Sequence, residues 1–189
     1  FTVENHGVVH PFYQGLGIAF PAKVALWNSM TGQKDLPEWL TWHMPEVYEA
    51  MKKTCGSDGQ PVPVQGQDWW YEQHPEAAVA HCAMNVYFKD RDAAYLEQLS
   101  VEYLKKVQDS NAQGRIYHSL SDRLNINPTQ TIGIKEVYAS YYLTSCYLVH
   151  YYSGPGAQPV SESDFLQKHS GATEFPHGGF VVHRHADSM

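Results

Sequence analysis

At 189 residues the chain is long enough for one domain with a sizeable core, and with 43% hydrophobic and 17% charged residues it is no disordered tail. Lys and Arg total 13 against 20 for Asp and Glu, a formal net charge of −7 that argues against a nucleic-acid footprint. An acidic polymer stays admissible, because a local cationic pocket can sit on an acidic protein.

The chain starts in mid-pattern at Phe1-Thr2-Val3 and stops at Asp187-Ser188-Met189, as expected of a piece of a longer protein. Glu4 to Tyr13 then gathers an amide, two imidazoles and a phenol (Asn5, His6, His10 and Tyr13) beside helix punctuation. Pro11 marks the first turn of a helix, where its missing N–H costs nothing. Phe12, Leu16, Phe20, Val24 and Trp27 follow at helical spacing, Pro21 is expected to kink or interrupt the segment, and Thr31-Gly32 ends it. Leu36, Trp39, Leu40, His43, Met44, Val47, Tyr48 and Met51 predict one amphipathic helix from Pro37 to Cys55-Gly56.

Residues 56–73, rich in Gly, Pro, Gln and Asp, read as a long loop, a length more often functional than idle. It ends in Asp68-Trp69-Trp70-Tyr71. Two helices are predicted over 75–88 and 92–109, joined by the polar turn Lys89-Asp90-Arg91 and therefore antiparallel neighbours. Ser119 to Thr131, which holds Arg123, reads as polar loop. A further helix spans 134–152 with Val137, Tyr141, Leu148 and Tyr152 facing inward, and Gly154-Pro155-Gly156 stops it. Phe165 to His169 adds a helical turn. Gly178 to His185 changes period and reads as a strand, with His183 and His185 on one face.

The three cysteines, at 55, 82 and 146, lack CxxC spacing, and an odd count leaves at least one thiol unpaired. Cys82 and Cys146 fall in apolar helical patterns, as buried free thiols do. Aromatic residues reach 13%, which suits either sugar-stacking rings or an aromatic-packed helical core. Neither a signal peptide nor an apolar run of membrane-spanning length is visible. His43, His81 and His150 read as satisfied core or surface histidines.

Asn5-His6-Gly7 before a helix, the Asp68–Tyr71 loop between helices, and the Gly-Gly strand ending in His-x-His give the chain a resemblance to the heparinase II/III and alginate-lyase-like superfamily. The resemblance implies a mainly α fold, part of an incomplete α/α toroid over residues 1–175, with the first strand of a β-sandwich over 176–189. It implies a polysaccharide lyase that cleaves a uronic-acid-containing glycan by β-elimination, secreted or periplasmic, acting on an acidic polysaccharide, with no membrane or nucleic-acid partner. By analogy Asn5 and His6 neutralise the uronate, Tyr71 or Tyr13 serves as base and acid, and His183 completes the catalytic set. His10, Trp69, Trp70, Asp68, His185 and Arg123 would contact substrate. No cofactor is required. His183 and His185 with Asp187 could bind zinc, a full site needs three or four ligands, and His177 could add one, so a zinc or calcium ion is admissible without being required.

The chemistry asks for these residue types. A hydrogen alpha to a carboxylate is very weakly acidic, so the charge must be neutralised before it can leave. A phenol, ordinarily of pKa about 10, works as a base only beside positive charge. Two rival readings remain: an α/α-toroid glycoside hydrolase acting on uronides, which needs a carboxyl pair, and a non-catalytic glycan-binding domain.

Overall fold

The computed structural model describes residues 4–5, 7–33, 36–64, 73–117 and 132–185. The protein is mainly helical. A short antiparallel hairpin, β1 (Glu4–Asn5) and β2 (Val8–Val9), leads into α1 (Pro11–Met30). Then come α2 (Glu38–Thr41), α3 (Met44–Thr54), α4 (Gln73–Phe88), α5 (Arg91–Asp109), α6 (Ile132–Ser153) and α7 (Glu162–His169). An antiparallel hairpin of β3 (Gly171–Phe175) and β4 (Phe180–Arg184) follows. No described helix is long and apolar enough to cross a membrane.

The hub is α4. Every side chain from Pro75 to Val86 is buried, as expected of a helix that is apolar or small on all sides. On one flank Ala78, Val79, Cys82 and Val86 meet Leu16, Ala19 and Leu26 of α1 and Ala139, Tyr142, Cys146 and Val149 of α6. On the other, Ala77, Ala80, Ala83 and Met84 meet Tyr48 and Met51 of α3, Leu96 of α5 and Phe165 of α7. The alanines let the helix axes come close, and this decides which faces of the neighbours turn inward.

That closeness corrects the predicted inner face of α6. Ala139, Tyr142, Cys146 and Val149 point inward, whereas Val137, Tyr141 and Tyr152 are exposed. Likewise Phe20, Val24 and Trp27 of α1 are exposed, while Ala19, Ala22 and Ala25 are buried. Pro21 does not end α1, which runs through it. The carbonyl that loses its partner belongs to Gly17, an exposed residue, so water can satisfy it. The single helix expected from Pro37 to Cys55 is two, broken at His43 in the left-handed region at φ 59°. Pro45 explains the break: it cannot donate to a preceding turn but fits the first turn of a new helix.

Ionic contacts tie the helices together. Asp90 caps α5, its carboxylate accepting from the backbone N–H of Asp92 and Ala93. The Lys52 ammonium, 1% exposed, donates to Asp90 (2.9 Å) and Asp92 (3.3 Å) and pairs with Glu49. Asp92 also receives Lys168 (2.6 Å) and His169 Nε2 (3.1 Å) from α7. Burial opposes ionisation of Asp92, but the hydrogen bonds from His169 and Lys168 and the Lys52 charge outweigh it and hold the carboxyl well below the usual carboxylate range.

A second buried contact fixes a tautomer. His81 Nε2 lies 2.8 Å from the Gly59 carbonyl, which can only accept, so Nε2 carries the proton and Nδ1 accepts from the Tyr48 hydroxyl at 2.7 Å. Burial pulls His81 from 6.5 down to about 4. Because the folded value lies below the unfolded one, this contribution to stability is whole above pH 6.5 and is lost as pH falls toward 4. Tyr48→Phe should cost about 1–3 kcal/mol in urea unfolding, since it orphans a buried acceptor.

The C-terminal hairpin packs on α3. Phe175 and Val182 bury against Ala50, and the Arg184 guanidinium donates to the Cys55 carbonyl and to the Lys52 carbonyl at 3.4 Å. The hairpin turn spans residues 176–179.

Candidate functional site

The register Glu4 with Val9 and Asn5 with Val8 makes residues 6 and 7 the connection of the first hairpin. Gly7 takes φ +79°, a conformation glycine adopts without steric cost. From Val9 the chain passes His10 directly into α1, and the His10 carbonyl accepts the Gln14 N–H at 3.0 Å. The His10 ring is buried and lies 4.5 Å, centroid to centroid, from the ring of half-buried Tyr13.

The N-terminal ends of α1 and α4 meet. A Cβ added at Gly15 would lie 3.8 Å from the backbone carbonyl of Glu76. At about 1.5 Å rise per residue, both helices begin within roughly 6 Å of that crossing. The hairpin that precedes α1 therefore enters beside the start of α4. A third segment arrives from the C-terminal hairpin: a Cβ at Gly178 would fall 2.9 Å from Val9 Cγ2 and 2.6 Å from the Phe180 ring, so only glycine fits between them.

Behind this junction lies a buried polar group. Gln14 is 1% exposed, and neither its Oε1 nor its Nε2 has a hydrogen-bond partner among the described residues; Glu76 Oε2 is in the same position. Burial pushes the Glu76 carboxyl up to about 8, against backbone hydrogen bonding, the Lys23 charge and the Tyr142 hydroxyl, which pull the other way. Burial and then the Glu76 charge raise Tyr142 well above the usual phenol range. Glu136 Oε1 accepts the Tyr117 N–H at 2.7 Å alongside. Farther along α1, the Lys23 ammonium stands 4.9, 4.6 and 4.7 Å from the ring centroids of Phe20, Tyr141 and Tyr142. Phe20 and Tyr141 are themselves exposed.

Comparison with protein-family models, with curated proteins and with solved structures found no match. The site therefore has to be read from its own residues.

Of the residues the sequence nominated, His6, Asp68, Trp69, Trp70, Tyr71 and Arg123 lie outside the described residues. Asn5 is placed by its backbone in β1. The structure brings the Asn5 strand, His10 and Tyr13 together at the start of α1. His10 stands behind Tyr13 and away from solvent. His183 and His185 share the exposed face of the C-terminal strand, while Val182 and Arg184 turn inward. His183 borders a different space, a cavity of about 520 Å³ walled by Cys55, Val62, Tyr95, Phe165 and Arg184.

Sequence reading missed Gln14, Lys23, Glu76 and Tyr142. One signal was available: Glu76 is a carboxylate at the head of the run Ala77-Ala78-Val79-Ala80, where a charge has no solvated face to occupy.

The raised Glu76 value gives a signed prediction. Its folded value of about 8 lies above the unfolded 4.5, so its contribution is fully present below pH 4.5 and is lost as pH rises through 8. Glu76→Gln should match the wild type in urea unfolding near pH 4.5 and be more stable by a few kcal/mol near pH 8, roughly 1.4 kcal/mol per pH unit of difference.

Proposed function

We propose that the chain belongs to a polysaccharide lyase that cleaves a uronate-containing glycan by β-elimination at the junction of the α1 and α4 N-termini. The observation that carries this reading is the Gly15–Glu76 contact, which sets the start of α1, with the Asn5 strand, His10 and Tyr13, beside the start of α4. Two further features support it. Helix N-termini favour a bound carboxylate. Exposed aromatic rings around Lys23, about 15 Å along α1 from Tyr13 by helical rise, suit a sugar chain carrying negative charge.

In this reading Asn5 and His6 donate to the uronate carboxylate, and protonated Glu76 supplies a neutral donor behind it. Tyr13 acts as the base and removes the hydrogen alpha to the carboxylate. The electron pair of that C–H bond becomes the new carbon–carbon double bond, the bond to the glycosidic oxygen on the adjacent carbon breaks, and the phenol returns its proton to the departing oxygen. His10, packed on Tyr13, holds the ring in place. No water is consumed and no redox partner is needed.

The hydrolase reading has one observation in its favour, a carboxyl that stays protonated at neutral pH and so can act as general acid. Incubation with alginate, heparin and glucuronan separates the alternatives. Growth of the ultraviolet absorbance of an unsaturated uronate supports the lyase. New reducing ends without that absorbance indicate hydrolysis, and binding with neither leaves a glycan-binding domain.

A further inference from the structure

Where α4 meets α5 and α6, three metal-ligating side chains converge from three helices. Cys82 Sγ of α4, a carboxylate oxygen of Glu97 of α5 and an imidazole nitrogen of His150 of α6 all lie within 4.8 Å of one another. Cys146 stands one turn before His150 on the same helix, and Cys82 Sγ is 3.6 Å from the Cys146 carbonyl. All three cysteines of the chain are free, and Cys82 is fully buried.

The hydrogen bonding around the cluster is that of a ligand set held by outer partners. His150 Nδ1 lies 3.2 Å from the Gly154 carbonyl, and Nε2 lies 2.8 Å from Glu97 Oε1. A neutral imidazole has one N–H and so can donate to only one of these two oxygens, which leaves its other nitrogen free to serve as a ligand. The other Glu97 oxygen accepts Asn85 Nδ2 at 2.7 Å, and Asn85 Oδ1 in turn accepts the Ala157 N–H at 2.7 Å. Ligating imidazoles and carboxylates are oriented in this way by backbone and amide partners.

We propose that Cys82, Glu97 and His150 bind one divalent cation of the zinc class between α4, α5 and α6, with Cys146 beside the fourth position. Sulfur, imidazole and carboxylate together favour zinc over the hard cations magnesium and calcium. Bond lengths of about 2.0–2.3 Å put tetrahedral ligand atoms roughly 3.3–3.8 Å apart, so the cluster closes with side-chain movements of about an ångström or less. His150 is one-third exposed and offers the way in. On binding, the Cys82 thiol proton and the proton between His150 and Glu97 leave to solvent, and no electron is transferred. The cation ties the hub helix to α5 and α6 and owes nothing to the glycan site.

The test is a cobalt titration of the chelator-stripped chain in a phosphine reductant, followed by zinc competition. The expected result is saturation at one equivalent, with a thiolate-to-cobalt charge-transfer band that zinc removes. Cys82→Ser should lose the band, and His150→Gln should weaken binding by at least about tenfold. Zinc should raise the melting temperature of the wild type. The proposal is overturned if the folded wild type gives no thiolate band at one equivalent of cobalt, or if His150→Gln binds as tightly as wild type. Either result would leave an ordinary imidazolium–carboxylate pair. Cobalt held only by surface histidines such as His183 and His185 would lack the thiolate band and would count against it.

Discussion

Tyr13→Phe is expected to lower turnover on a polyuronide by about 10²–10⁴-fold, the usual contribution of one proton-transfer group, with little change in KM. The ring survives the substitution, so its packing against His10 and the α1 core is kept and the melting temperature should stay within about 2 °C of wild type. Tyr71→Phe, assayed beside it, should cost less. If instead Tyr71→Phe is inactive and Tyr13→Phe is not, the base comes from the segment preceding α4 and the role given to Tyr13 is wrong. His10→Ala offers an internal control. A positioning role predicts a fall in kcat that His10→Gln partly restores, because the glutamine refills the space beside the phenol.

The largest stability effect should come from Asp92→Ala. Asp92 is 2% exposed and is shared by Lys52, Lys168 and His169, so its removal leaves the buried Lys52 ammonium with fewer counter-charges and loosens α7 from α5. Breaking such a pair from one side costs about 3–5 kcal/mol, or roughly 10 °C or more in melting temperature for a chain of this size. Asp92→Asn should lose less, because the amide oxygen still accepts. The folded carboxyl sits below its unfolded value of 3.8, so the stabilisation is whole above that pH and fades as pH falls below it. Thermal melts of wild type and variant should therefore lie far apart near pH 7 and draw together in strong acid.

Much of the fold could be read from the sequence because strong local signals agreed with the packing. Pro11 starts α1, the polar turn at Lys89-Asp90 separates α4 from α5, Gly154 stops α6, and the Gly178-Gly179 pair precedes a strand. What failed was the direction of helix faces. In α6 and α1 the bulky aromatics mark the outside and the alanines mark the contact with α4. A period alone cannot say which of two apolar stripes is buried when the partner helix is built of alanine. The strand β3 was missed because Gly171-Ala-Thr-Glu-Phe has little apolar content and only Phe175 is buried.

The candidate site was partly legible for similar reasons. Asn5, His10 and Tyr13 stand out because they crowd one short run beside a helix start. Glu76 and Gln14 did not, since a single polar residue in a helix shows its importance only when its surroundings are known to be apolar. Gly178 reads in sequence only as the start of a strand-like run, and its close approach to Val9 shows only in the structure.

The central proposal is that this chain cleaves a uronate-containing glycan and does so by elimination. Its most direct measurement is digestion of a uniform polyuronide by this chain in water labelled with heavy oxygen, with the products read by mass spectrometry. Elimination predicts product pairs that together equal the mass of the parent and contain no solvent oxygen. Products that gain one labelled water per cleavage would contradict it, and so would an intact polymer after prolonged exposure to the folded chain.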